Sequence, residues 1–133
     1  MTVRFADTSF YIGLFNPQDE THAKARHYAM QGDLSVLTTA WVLAELANYL
    51  ASTPNRSLFV SFVKDLRRNP RVTIVPPDAD LFERGMHLYD DRADKSWSLT
   101  DCISFLVMER HEVTEALTTD HHFEQAGFTI LLR

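Results

Sequence analysis

The chain has 133 residues, 45% of them hydrophobic and 23% charged, with 4 glycines and 5 prolines and a net charge of −5. That fits a single globular domain over residues 1–133 with a real apolar core, and it argues against low complexity or a protein that grips nucleic acid by bulk positive charge. No apolar run approaches the ~20 residues of a bilayer span, and one cysteine, Cys102, cannot close an intramolecular disulfide.

MTVRFADTSF carries no apolar leader, so the expectation is a cytoplasmic protein in a reducing compartment. Residues 3–6 alternate and predict a strand, which Asp7-Thr8-Ser9 turns into the helix FYIGLF, broken at Asn16-Pro17. Residues 19–31 have helical spacing at His22, Ala25 and Ala29, and Gly32 ends that helix. A second strand is predicted over 34–38, and Thr39 can cap the helix that carries WVLAELANYL. Residues 52–55 predict a loop, and Leu58, Phe59, Phe62, Val63 and Leu66 then form one helical stripe.

A third strand at 72–75 ends in Pro76-Pro77, and 78–89 is helical. The charged loop 90–97 leads into an apolar helix over 99–110, opened by Ser98-Leu99-Thr100-Asp101. Residues 116–118 predict a fourth strand, Thr119-Asp120 starts a short helix, and 129–132 predict a last strand. Strands alternating with helices predict an α/β chain: a central parallel sheet in a three-layer α/β/α sandwich. Sites in such sheets lie beyond the carboxyl ends of the strands, where the strand order switches.

Four acids bear on that edge. Asp7 ends the first strand, Asp120 ends the fourth, Asp101 lies in the first turn of the preceding helix, and Glu45 sits on the helix after the second strand. Each aspartate alone also fits a helix cap, and Ser98-x-x-Asp101 has the form of a capping box. Glu45 stands apart, because its helical neighbours Trp41, Val42, Asn48 and Tyr49 carry no positive charge. A buried unpaired carboxylate costs several kcal/mol or takes up a proton. If the first and fourth strands are neighbours the acids converge. Two like charges ~4 Å apart repel by about 4 kcal/mol at an effective dielectric of ~20. Such a cluster calls for a cation, and hard oxygen ligands suit magnesium or manganese.

ADTS at 6–9, the lone Glu of AELANYL, SLTDCISF at 98–105 and TTDHHF at 118–123 together resemble the PIN domain family, and more narrowly the VapC-type toxins of bacterial toxin–antitoxin pairs. The resemblance runs from Asp7 to Asp120. It implies a Rossmann-like sandwich and a metal-dependent endoribonuclease whose catalytic and metal-binding acids are Asp7, Glu45, Asp101 and Asp120. Ser9 and Thr119 match frequent hydroxyl positions and would support them. It further implies a homodimer and a cognate antitoxin that inserts a segment into the site.

Arg92 and Lys95, in the loop before Asp101, are candidates for RNA phosphate contact, whereas Lys64, Arg67, Arg68 and Arg71 fit a solvated helix face. His121-His122 fits a surface role, because adjacent helical residues do not share a face. Trp41, Tyr49, Phe59 and Phe62 fit the core better than a base-stacking platform. Three other functions stay open. One is a housekeeping RNA-processing nuclease without antitoxin, and another is a non-catalytic interaction module, which four intact acids argue against. The third is a phosphoacceptor receiver, which needs an acidic pair where the chain has Ala6-Asp7.

Overall fold

The computed structural model describes residues 2–133. Five strands, Thr2–Ala6 (β1), Leu34–Thr39 (β2), Val72–Val75 (β3), Glu115–Leu117 (β4) and Thr129–Ile130 (β5), form one sheet in the order β3-β2-β1-β4-β5. Every pairing is parallel. The intervening α-helices are Thr8–Phe15 (α1), His22–Ala29 (α2), Ala40–Leu50 (α3), Phe59–Arg68 (α4), Ala79–Asp91 (α5), Leu99–Arg110 (α6) and His121–Gln125 (α7).

Handedness assigns the layers. The chain steps from β1 to β2 to β3 in one direction, then crosses over and steps from β4 to β5 in the other. Right-handed crossovers therefore put α1 to α4 on one face and α5 to α7 on the opposite face. The contacts agree: α1 touches α2 and α3, α3 touches α4, and α6 touches both α5 and α7. With helices on both faces, all six residues of β2 are buried, which is why LSVLTT is a run rather than an alternation. Helix α6 is likewise apolar almost all round, with Cys102, Ile103, Phe105, Val107 and Met108 buried.

Local chemistry sets the boundaries. Thr39 starts α3 by accepting from the Val42 N–H at 3.1 Å. The loop expected over 52–55 is half right: Thr53 caps a 3-10 turn, Pro54–Leu58, with proline at its start. The last strand starts at the expected Thr129, just after Gly127 turns the chain at φ 98°, but ends at Ile130 rather than at 132. Gly85 lets α5 lie close on α6, since a Cβ there would meet Ile103 Cγ1 at 2.5 Å. Arg4, a charge inside β1, is satisfied by Glu115 at 3.2 Å and Gln31 at 2.9 Å, and stacks over Tyr28. Among the described residues, no helix is long and apolar enough to cross a membrane.

Candidate active site

Strands β1 and β4 are neighbours, and the sheet order reverses between them. Asp7 leaves β1 at that switch, still tied to β4 through its N–H to the Leu117 carbonyl at 3.2 Å. It occupies the N-cap position of α1, yet its side chain makes no capping bond. Only 6% exposed, it accepts instead from Thr118 Oγ1 at 2.7 Å. Thr118 Oγ1 accepts in turn from the Asp120 N–H at 3.0 Å and lies 3.1 Å from Ser9 Oγ. Ser9 Oγ accepts from the Thr119 N–H at 3.1 Å. A hydroxyl relay thus pins the end of β4 to the start of α1.

Burial pushes the Asp7 carboxyl up to about 7. Thr118 and the Thr8 N–H hold it down, while the charges of Asp101 and Glu45 push it further up. Glu45 is half-buried and accepts from Thr8 Oγ1 at 2.6 Å, which holds its carboxylate beside Asp7. Asp101 is 7% exposed and completes a true capping box with Ser98, accepting from the Ser98 N–H at 3.1 Å. Burial raises its pKa and the neighbouring Asp120 adds to that, while the Ser98 N–H and His122 oppose. Asp120 caps α7 through the His122 N–H at 2.9 Å.

The structure thus brings Glu45, Asp7, Asp101 and Asp120 into electrostatic contact along one rim of the sheet. Among the described residues, none of the four makes a salt bridge to lysine or arginine. The capping reading of Asp101 and Asp120 is borne out.

Three placements differ from expectation. His122 is no surface residue: its Nδ1 lies 3.0 Å from Asp101 Oδ2 and 3.3 Å from Asp120 Oδ1. The two histidine rings do not point apart; their centroids are 4.6 Å apart. Both sit in the first turn of α7, and Asp120, His121 and His122 have ligand atoms within 4.8 Å of one another. The signal available in the sequence was an Asp at an N-cap with His two residues on. The hydroxyl at Asp7 is that of Thr118; Thr119 offers its N–H to Ser9 and its carbonyl to Arg133. Arg92 and Lys95 both face Asp94, the former through two bonds of 3.0 and 3.1 Å, the latter at 3.8 Å. A phosphate would have to compete with that carboxylate.

A buried carboxyl without a cationic partner, beside further carboxylates, is a donor set that fits a hard divalent cation. The imidazoles widen it toward borderline ions.

The signature of the PIN domain matches residues 4–129. The chain belongs to the PIN domain family. Among its PIN relatives, the 23S rRNA-specific endonuclease VapC20 of Mycobacterium tuberculosis is 28% identical over 124 residues, covering 93% of this chain and 94% of the relative. The crystal structure of that Mycobacterium tuberculosis VapC20, described as a Sarcin-Ricin loop cleaving toxin, superposes with a TM-score of 0.82 at 27% identity, covering 96% of this chain and 97% of the other. VapBC2 of Rickettsia felis, solved on a promoter DNA fragment, shares the fold alone (TM-score 0.66, 11% identity, 97% of each chain). So does FitAcB of Neisseria gonorrhoeae (TM-score 0.64, 19% identity, 98% of this chain and 96% of the other). The expected three-layer sandwich is therefore a PIN domain in layout as well as in motif.

Proposed function

We propose that this PIN domain is a metal-dependent endoribonuclease that hydrolyses RNA phosphodiester bonds, and that it is the toxin of a VapBC-type pair. One observation carries the chemistry: Glu45 with Asp7, Asp7 with Asp101, and Asp101 with Asp120 are in electrostatic contact at the strand-order switch, and among the described residues none of them has a lysine or arginine salt bridge. The relatives whose names describe RNA cleavage and toxin activity support the substrate class and the role.

Asp7, Asp101 and Asp120, with Glu45, would hold magnesium or manganese. A divalent ion there supplies charge neutralisation at the phosphate and a more acidic water. The residues do the rest. Thr118 and the Thr8 N–H favour the ionised form of Asp7 that a cation needs. Thr8 fixes one oxygen of Glu45 and leaves the other to accept the attacking water's proton. The water oxygen bonds to phosphorus as the P–O3′ bond breaks. The downstream fragment keeps a 5′-phosphate, and the departing O3′ takes a proton to become a 3′-hydroxyl. His122, between Asp101 and Asp120, sets the spacing of their carboxylates.

Ser9 supports the site through Thr118 and the Thr119 N–H, and Arg92 and Lys95 would contact the RNA strand in competition with Asp94. A homodimer and a cognate antitoxin complete the proposal.

The test is cleavage of RNA with magnesium by the wild type, Asp7→Asn and Asp101→Asn. Each substitution should lower the rate by more than the ~100-fold typical of an outer-shell change. Retained cleavage in both would sink the site assignment. Growth arrest on expression, relieved by co-expressing the product of an adjacent gene, is expected of a toxin. An RNA-processing enzyme without antitoxin would cleave but show no such relief.

A further inference from the structure

Where α5 ends and residues 92–98 turn back into α6, a recess of about 350 Å³ opens, lined by Tyr89, Asp90, Ala93, Lys95, Ser96 and Trp97. It continues outward past Met86, Ser98 and Leu99. Its inner wall is fixed. Trp97 is only 6% exposed, donates from Nε1 to Gln125 Oε1 at 2.9 Å, and carries the Arg92 guanidinium on its ring at 4.9 Å. Its rim is not covered: Tyr89 is 56% exposed although it stands among the apolar residues of α5.

The recess shares a wall with the acidic site. Ser96 Oγ lies 3.2 Å from His122 Nε2, and the other nitrogen of that ring faces Asp101 and Asp120. Ser98, on the outer lip, is the capping partner of Asp101. A strand with its phosphate at Asp101 would therefore have its neighbouring nucleotide at this opening.

Charge decides which part of a nucleotide fits. Lys95 is drawn to Asp94 at 3.8 Å, and the Asp90 carboxylate lines the same space. That lining disfavours a phosphate and suits a neutral planar group with a hydrogen-bonding edge. Unpaired bases stacked on exposed aromatic rings are how proteins usually read single-stranded RNA.

We infer that this recess holds one unpaired nucleobase of the RNA, stacked on Tyr89, beside the phosphate to be cut. The inference rests on the ribonuclease reading and names a specificity subsite for it. Lys95 Nζ and Ser96 Oγ offer donors at the edge of the base, and Asp90 an acceptor.

The test reads binding, so it does not depend on cleavage. A short single-stranded RNA carrying one 2-aminopurine is titrated into the wild-type protein in chelator, and fluorescence quenching reports stacking. Tyr89→Phe should bind and quench like the wild type, and Tyr89→Ala should bind about tenfold more weakly. Equal affinity and quenching with alanine and phenylalanine would overturn the subsite, as would a wild type that does not bind the oligonucleotide. Solution mass of each variant is measured alongside. If Tyr89→Ala turns a dimer into a monomer and leaves RNA affinity unchanged, the ring belongs to an interface between copies and the inference falls. Tyr89-dependent quenching in a protein that never cuts RNA would instead keep the base subsite and discard the nuclease.

Discussion

Asp7 and Asp78 hold the same place in two strand-to-helix turns, each the N-cap residue of the following helix. Asp78 does the ordinary thing: it is exposed and accepts from the Asp80 N–H at 2.9 Å. Asp7 is buried, makes no capping bond, and is pushed up to about 7 by that burial. The residue type and the local motif are shared, so neither explains the difference. Strand β3 is an edge strand, whereas β1 lies in the middle of the sheet with a neighbour on each side, at the switch in order. Topology, not the aspartate, makes a strained carboxyl out of one cap and a plain helix start out of the other.

The contrast can be broken by pH. A carboxyl with a folded pKa of about 7, against an ordinary value of 3.8, binds more protons folded than unfolded between those values. Stability without metal therefore falls as pH rises from about 4 to about 7, by roughly 4 kcal/mol in all. Urea melts in chelator should show the slope in the wild type and in Asp78→Asn, and a shallower one in Asp7→Asn, where the raised Asp101 still contributes. A slope left unchanged by Asp7→Asn would remove Asp7 as its main source. Manganese should restore more stability at pH 8 than at pH 5, because it binds the ionised form.

Thr118→Val sharpens the contrast at smaller scale. It deletes the hydroxyl that holds Asp7 and receives the Asp120 N–H. Cleavage should fall about tenfold and folding stability by about 1 kcal/mol. Unchanged turnover would show that the relay is only structural. Asp78→Ala is the control at the quiet cap: about 1 kcal/mol lost in a thermal or urea melt, with turnover within about twofold.

The sequence made the element order legible because apolar periodicity switches cleanly between strands and helices, and because Thr39 and Ser98 mark helix starts. Glu45 was conspicuous for its lack of a local partner, and Thr8, which supplies one, arrives from the turn after β1. What stayed hidden depended on the third dimension. Which of two adjacent threonines reaches Asp7 is fixed by where β4 stops pairing, a matter of one residue. His122 lies at the acids because the Asp120 cap accepts from its backbone N–H at 2.9 Å and holds it beside that carboxylate, which side-by-side helical spacing does not capture. Arg92 and Lys95 are held by Asp94, which lies between them in the chain, a local pairing that a count of positive charges in the loop does not show.

The pairing of β1 with β4 has a consequence in time. The first strand and Asp7 leave the ribosome well before Thr118, Asp120 and the neighbouring strand that hold them, which come more than a hundred residues later. At roughly 5–20 residues per second, a nascent chain spends seconds with its first acid in hand and no cleft to put it in. An RNA-cutting machine built this way stays disarmed beside the message that encodes it until synthesis has passed β4.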